Sequence, residues 1–137
     1  MTDQSQLDAN ILDEVADALI YSDRAGTIAR WNRASSALFG FAADEALGQN
    51  LDLIIPEHLR AGHLKGFEAA LASGTMKLAG RPTLTRALHK SGRKLYIEMT
   101  FALVRDAGGA VQGSVAMARD VTERVERERA AKAVQNS

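Results

Sequence analysis

One stretch in the last third of the sequence alternates strictly between apolar and other side chains. Its apolar positions are Leu95, Ile97, Met99, Phe101 and Leu103. Because successive side chains of a β-strand point to opposite faces, this pattern predicts a strand with one fully apolar face. Such a face must be covered by a second layer of structure, and this requirement favours a sheet with helices packed on one side.

Turn residues on both sides of this strand predict its neighbours. The segments 89–92 and 106–109 contain glycine and polar residues typical of turns, so residues 77–88 and 111–119 are predicted to be strands. Pro82 lies inside the first of these. Proline cannot donate a hydrogen bond to a neighbouring strand, so residues 77–88 are predicted to form an edge strand.

The N-terminal part of the chain predicts a helix followed by a hairpin. Leu7, Ile11 and Val15 recur every four residues, which is the spacing of an amphipathic helix over residues 5–15. Two strand-like runs follow at 18–22 and 27–32, and the turn between them contains glycine.

Helical pieces are predicted in the middle and at the end of the chain. Residues 33–55 form short pieces, and Pro56 then begins a longer helix that ends at about Ser73, where Gly74 follows. A capping box formed by Asp120 and Glu123 predicts a last helix to about Val134. The resulting order predicts an α+β fold with a five-stranded antiparallel sheet and short helices on one face.

Composition excludes several classes of function. The chain has 17 basic and 17 acidic side chains, and this balance argues against a nucleic-acid partner. It has no cysteine, which excludes disulfides, thiolate metal sites and a flavin–cysteinyl adduct. We find no phosphate-binding glycine loop, zinc-ligand spacing or nucleophile elbow, so no enzymatic activity is expected.

No part of the sequence resembles a membrane span or a leader. The longest apolar runs have four residues, against the roughly 18 that a membrane helix needs. The first residues are polar and lack the basic and apolar regions of a signal peptide. We therefore expect a cytoplasmic protein that does not contact membranes.

Eight short motifs occur in order along the chain. They are DALIYSD (17–23), GTI (26–28), WN (31–32), LFGF (38–41), DEALG (44–48), LIIPE (53–57), KSGR (90–93) and RDVTE (119–123). Together with the order of elements, they resemble the PAS family (S-box sensor domains) over about residues 8 to 124. Each motif is weak alone, and their order and spacing carry the resemblance.

The resemblance implies a sensing and dimerising module with a pocket between the helical segments and the inner face of the sheet. It divides the chain into an N-terminal cap helix (1–15), a PAS core (16–120) and a C-terminal signalling helix (121–137). The last helix would pass the signal to an effector domain or partner protein such as a histidine kinase. Because the chain stops soon after that helix, we expect either an excised piece of a longer protein or a stand-alone sensor.

His63 is the principal candidate for a cofactor ligand. It lies four residues after Leu59 and four before Phe67, in the middle of the apolar stripe of the predicted helix. A buried neutral imidazole is a good ligand for haem iron. Gly62 and Gly66 would thin the helix surface enough for a flat macrocycle to approach. The alternative is a hydrogen-bonded core histidine.

The segment 59–63 also resembles the haem-binding oxygen sensors of the PAS family, in which the iron ligand falls at the position of His63. The resemblance implies haem b as the cofactor and a diatomic gas, such as oxygen, or the redox state as the signal. Those relatives carry an oxygen-stabilising Arg where Thr83 stands here. Arg81, two residues earlier, would share a strand face with Thr83. It could therefore take the place of the relatives' Arg as hydrogen-bond donor on the distal side of the haem, or it could pair with a haem propionate.

The remaining pocket walls would be apolar. The expected cofactor-binding positions besides His63, Arg81 and Thr83 are Leu59, Phe67, Leu78, Ile97, Met99, Phe101 and Val115. Two alternatives stay open: a haem-free dimerisation and relay module, and a pocket for flavin or another small molecule.

A homodimer is expected from the other side of the sheet. The residues expected on its outer face are small or amphipathic: Tyr96, Thr100, Ala102, Ser114, Ala116 and Ala118. A surface of this kind can be covered by a helix or sheet of a second copy.

Overall fold

The computed structural model describes residues 2–76 and 80–136. Its helices are α1 (Thr2–Glu14), α2 (Arg33–Phe39), α3 (Ala43–Ala46), α4 (Glu57–Ser73) and α5 (Thr122–Gln135), with a 3₁₀ turn at Leu51–Ile54. Its strands are β1 (Ala18–Asp23), β2 (Ile28–Trp31), β3 (Thr83–Leu88), β4 (Lys94–Arg105) and β5 (Val111–Asp120). The predicted order of elements is confirmed.

The five strands form one antiparallel sheet in the order β2-β1-β5-β4-β3. The predicted α+β class and five-stranded sheet are therefore confirmed. The strand predicted over 77–88 is an edge strand, as Pro82 indicated, but it begins only at Thr83. Proline cannot donate to the ladder, so the regular strand starts at the residue that follows it. Before the proline, the Gly80 backbone N–H donates to the Phe101 carbonyl on β4 at 3.4 Å.

The hydrogen-bond register decides which side chains share a face. Met99 on β4 lies opposite Thr83 on β3 and Ala118 on β5, and all three point to the inner face. The core on this face contains Ile20, Trp31, Phe39, Leu95 and Ile97, among others. Helix α2 and the 3₁₀ turn contribute Phe39 and Ile54 to it, so they cover part of the sheet.

Strand β5 presents the opposite face from the one expected. Val115 lies opposite Ala102 and Tyr21, so it points to the outer face and cannot line an inner pocket. Ser114, Ala116 and Ala118 point inward, although they were expected outside. The face of β5 was predicted wrongly because this strand carries small or apolar side chains on both faces. Their alternation therefore does not indicate which face points inward.

The capping box expected before the last helix is also not formed as expected. Val121 is the residue that precedes the first turn of α5, while Asp120 ends β5. The Asp120 carboxylate still accepts a hydrogen bond from the backbone N–H of Thr122, at 2.9 Å. Val121 and Val125 are buried, so the first turns of α5 are fixed to the sheet.

Within the part of the chain that the structure describes, no helix is long and apolar enough to cross a membrane.

Candidate functional site

Helix α4 is fixed mainly at its ends. Buried Pro56 precedes it, and the Arg60 side chain donates to the Ile55 carbonyl at 2.9 Å. At the other end Gly74, with φ of 72°, closes the helix in a left-handed conformation. Arg105, at the end of β4, donates to the Gly74 carbonyl and so ties this end of the helix to the sheet.

Between these ends the helix is only loosely covered. Among its described residues Ala70 alone is buried, while Leu59, His63 and Phe67 are half-buried. Gly62 and Gly66 are exposed, and a Cβ added at either would meet no atom within 4 Å. The predicted stripe therefore exists, but it is incompletely covered by the rest of the chain.

The His63 ring lies against the Phe67 ring, with centroids 6.0 Å apart and planes inclined by 16°. Burial lowers the pKa of His63 from its usual 6.5, while the nearby Asp52 carboxylate partly opposes this shift. Within the described residues the imidazole makes no hydrogen bond. Burial therefore favours the neutral form of the His63 imidazole, and neither ring nitrogen has a hydrogen-bond partner in the described part of the chain.

The inner face of the sheet has a closed part and an open part. Ala87, Leu95 and Ile97 are at most 1% exposed, so no space remains beside them. Farther along β4 and β5, Phe101, Leu103 and Ala116 are only half-buried. The open part of the inner face is thus at the end of β4 to which Arg105 ties α4.

The residues predicted to line the pocket do not all lie together. Met99 lies on the inner face at the border of the two parts, and Phe101 lies in the open part. Ile97 shares this face but lies in the closed core. Val115 is on the outer face, and Leu78 lies outside the described residues.

Thr83 and Arg81 do not form the pair that the sequence suggested. Thr83 is half-buried opposite Met99, and its hydroxyl points back to the Arg81 carbonyl at 3.5 Å. Arg81 precedes the strand and is exposed. The expectation that both share a strand face is therefore wrong, because Arg81 is not in the strand.

Two buried hydroxyls on the inner face were missed by the sequence analysis. Ser22 on β1 and Ser114 on β5 lie opposite each other, with their oxygens 3.4 Å apart. Polar side chains in the inward positions of two strands were the available signal, but recognising it requires the β1–β5 register.

A separate open cleft of about 520 Å³ lies away from α4. Its lining comes from the end of α1 and the segment after it, from α2 and from the end of β5. None of the predicted site residues contributes to it.

Comparisons with known proteins agree with this architecture. A family model described as PAS fold matches residues 6–121. An uncharacterised protein of Azorhizobium caulinodans is 35% identical over 121 residues, which are 88% of this chain and 16% of that protein. The sensor protein FixL of Bradyrhizobium diazoefficiens is 39% identical over 54 residues, 39% of this chain and 11% of FixL.

A solved structure shows the same fold. The PAS domain of a protein from Colwellia psychrerythraea superposes with a TM-score of 0.75 and 24% identity, covering 88% of this chain and 99% of that domain. The chain spans only a small share of the two curated relatives, but the family model covers most of the chain itself. This chain is a member of the PAS family, whose domains generally sense and relay signals rather than catalyse reactions.

Proposed function

We propose that this PAS domain binds haem b through His63 and senses a diatomic gas, such as oxygen, or the redox state. The observation that carries the proposal is the half-buried His63 imidazole, whose pKa is lowered by burial and which makes no hydrogen bond in the described structure. The partial match to FixL and the resemblance of residues 59–63 to haem-binding oxygen sensors support it.

The residues around His63 fit a haem on the proximal side. An iron ligand needs a deprotonated imidazole nitrogen, and burial favours the neutral ring. The open space at Gly62 and Gly66 leaves room beside the helix for a flat group. Bound haem would supply an iron that can bind a diatomic gas, and His63 would hold that iron.

The distal side differs from the Arg of the oxygen sensors that the sequence resembles. Thr83 is the polar side chain that β3 places next to Met99 on the inner face, and exposed Arg81 lies outside the strand. A hydroxyl is a weaker hydrogen-bond donor than a guanidinium. We therefore expect weaker stabilisation of oxygen here than a distal Arg would give.

An absorption spectrum tests the haem proposal. The protein, expressed with a supply of haem, should show a Soret band that is lost or strongly shifted in His63→Ala. The matched control is His58→Ala, because His58 is an exposed histidine on the same helix. Absence of a Soret band in the folded wild-type protein, or equal spectra for all three proteins, would exclude His63-bound haem.

A haem-free dimerisation and relay module is the second candidate, and an exposed apolar stripe on α1 favours it. Leu7 and Ile11 are 55% and 51% exposed, which is unusual for large apolar side chains on one face of a helix. We propose that a second copy covers this stripe in a homodimer. On the outer sheet face Leu19, Tyr21 and Met117 are half-buried and could extend the interface.

The mass of the protein in solution tests the dimer. Ile11→Glu places a charge in the stripe and should shift the protein towards the monomer in analytical ultracentrifugation. Ala9→Glu adds the same charge at another exposed position of α1 and is the control. A wild-type monomer, or a dimer equally insensitive to both changes, would contradict this interface.

Relay to an effector would pass through α5. The Thr122 hydroxyl accepts a hydrogen bond from the Tyr96 backbone N–H at 2.9 Å, and the Arg129 guanidinium lies 4.8 Å from the centre of the Tyr96 ring. Tyr96 sits between Leu95 and Ile97 on β4, so a shift of the inner face can reach α5. We propose a cytoplasmic effector or partner, such as a histidine kinase, and no nucleic-acid partner.

In flavin-binding PAS domains a Trp can line the flavin pocket, but Trp31 gives the flavin alternative no support. Its indole N–H donates to the Ser36 hydroxyl and the Phe41 carbonyl, both at 3.1 Å, and its ring packs on Phe39 in the core.

A further inference from the structure

A group of positive side chains surrounds Tyr96 on the outer face of the sheet. Arg86 lies directly opposite Tyr96 on β3, and its guanidinium carbon is 5.6 Å from the centre of the ring. The guanidinium carbon of Arg129, on α5, is 4.8 Å from the same centre. Lys94 lies two residues before Tyr96 on β4 and so shares its face. Lys132 follows Arg129 by one turn of α5. We call these four cations the Tyr96 patch.

The charge of the Tyr96 patch is not balanced by its surroundings. Its four cations are exposed, and none forms an ion pair with a carboxylate of the described residues. Glu98, the next outward residue of β4, pairs with Arg124 at 3.7 Å, and Glu128 lies 3.9 Å from the same Arg124. Glu126 precedes Arg129 by one turn and forms no ion pair with it in this structure. The patch therefore favours an acidic partner.

Helix α1 carries the complementary charge. It contains four carboxylates and no basic side chain. The last two carboxylates contact Arg33 of the same chain, whereas Asp3 and Asp8 form no ion pair with any described residue. Asp3 lies four residues before Leu7, and Asp8 lies three before Ile11. Because residues at these spacings are neighbours on a helix surface, both carboxylates border the exposed apolar stripe of α1.

The surface beside the Tyr96 patch is also partly apolar. Leu84 lies two residues before Arg86 on β3, on the same face, and is 54% exposed, which is close to the exposure of Leu7 and Ile11 on α1. Each of the two surfaces therefore combines exposed apolar side chains with charges of one sign, and the signs are opposite. A contact between them would bury apolar area and bring the opposite charges together.

We propose that two copies of the chain dimerise by packing α1 of each copy on the Tyr96 patch of the other. This inference rests on the homodimer of the proposed function, and it specifies the surface that the α1 stripe contacts. A twofold axis makes the two contacts identical and closes the assembly at two copies. Because two of the four cations belong to α5, the contact also fixes that helix relative to the second copy.

Charge reversal on both sides of the contact tests this arrangement. Asp8→Lys places a positive charge on α1, and Arg129→Glu places a negative charge on the Tyr96 patch. In a dimer of either variant both contacts bring like charges together, so the dissociation constant from analytical ultracentrifugation should rise about tenfold. In a mixture of the two variants, the introduced lysine faces the introduced glutamate at one contact, and the two native residues meet at the other. The mixture should therefore dimerise about as tightly as the wild-type protein.

Arg127→Glu is the matched control. Arg127 is an exposed arginine two residues before Arg129, so it lies on another side of α5. The change in net charge is the same, and the dissociation constant should stay within about twofold of the wild-type value. The wild-type protein supplies a measurement that does not depend on any variant folding: its dimer should weaken as NaCl is raised from about 0.05 to about 0.5 M, because salt screens exposed charges.

Equal dissociation constants for Arg129→Glu and Arg127→Glu would exclude the Tyr96 patch as the contact of α1. A mixture that dimerises no better than its two components, or a wild-type dimer that salt does not weaken, would exclude it as well. If Ile11→Glu still disrupts the dimer in any of these cases, the stripe interface of the proposed function stands and another surface of the second copy covers it. A monomeric wild-type protein would overturn both the homodimer and this contact.

Discussion

Helices α2 and α4 lie on either side of the 3₁₀ turn, yet they are held in different ways. Helix α2 has 7 residues and buries Ser35 and Phe39 completely. Helix α4 has 17 residues and buries only Ala70 among those described. Since helix stability in proteins comes mostly from packing, the shorter helix is the better fixed of the two. The longer helix is held by fewer buried side chains.

The N-terminal end of α2 is also held by more side-chain hydrogen bonds than that of α4. The Asn32 side-chain oxygen accepts from the backbone N–H groups of Leu19 and Ser35, at 2.9 and 3.0 Å. Its amide group donates to the carbonyls of Leu12 and Asp17, so one residue joins α1, β1 and α2. The residue that precedes α4, Pro56, makes no side-chain hydrogen bond.

Replacing one phenylalanine on each helix should give the largest contrast. Phe39→Ala removes a fully buried ring from the core and should lower the free energy of unfolding by about 3–5 kcal/mol. Phe67→Ala removes a half-buried ring that stacks on His63, and should cost about 1 kcal/mol. Urea unfolding at neutral pH measures both values. Similar losses for the two variants would show that α4 is packed as firmly as α2.

The glycines that end the two helices give a second, smaller contrast. Gly40 and Gly74 have similar left-handed φ angles, 81° and 72°. Alanine at either position should cost about 1–2 kcal/mol for that conformation alone. At Gly40 the new Cβ would also come within 2.5 Å of the His89 ring, whereas at Gly74 it would only touch Arg105 at 3.5 Å.

Gly40→Ala should therefore destabilise the protein more than Gly74→Ala, by about 1 kcal/mol or more. Thermal unfolding of the two variants side by side measures the difference. Gly40→Ala combined with His89→Ala removes the ring that the methyl group would meet, and its cost relative to His89→Ala should fall to that of Gly74→Ala. An unchanged cost in this background would assign the effect of Gly40 to its φ angle alone.

Sequence patterns predicted the elements well where both ends carried a signal. Pro56 and Gly74 marked the two ends of α4 in the sequence, and strict alternation identified β4 and its inner face. The face of β5 was predicted wrongly because small and apolar residues occupy both of its faces. One residue of register decides whether Val115 or Ala116 points inward, and only the pairing with β4 gives that register.

The candidate site was predictable only in part, because it depends on contacts between distant segments. The apolar stripe around His63 follows from helical spacing within α4. The Ser22–Ser114 pair joins residues 92 positions apart and leaves no local pattern. Arg81 was predicted to share a strand face with Thr83 because residues 77–88 were predicted as one strand, but β3 begins only after Pro82.

Replacing the glycines inside α4 by alanine should stabilise the protein, whereas the preceding changes destabilise it. Gly62→Ala and Gly66→Ala meet no atom within 4 Å, so each should stabilise the haem-free protein by about 0.5–1 kcal/mol through helix propensity. If a flat ligand approaches this surface, the same changes should weaken its binding. Urea unfolding without ligand and haem titration measure the two effects. Destabilisation by both changes would mean that α4 is covered more closely than the structure shows.

The pH dependence of stability should show the smallest effect, and it concerns His63 directly. Burial lowers the pKa of His63 below its usual 6.5, so the unfolded chain binds this proton more readily than the folded protein. The stabilisation from a neutral His63 is therefore complete above about pH 6.5. It is lost as the pH falls towards the lowered pKa of the folded state. Nearby Asp52 makes the loss smaller by favouring the charged ring.

His63→Gln should remove this pH-dependent contribution of His63. The free energy of unfolding of the variant should therefore fall less than that of the wild-type protein between neutral and mildly acidic pH. Urea unfolding of the haem-free proteins at a series of pH values measures the two slopes, with His58→Gln as the control at an exposed position of the same helix. Parallel slopes for wild type and His63→Gln would mean that the imidazole is as well solvated as in the unfolded chain. His63 would then be hydrated in the haem-free protein, and it would become a buried iron ligand only when haem binds.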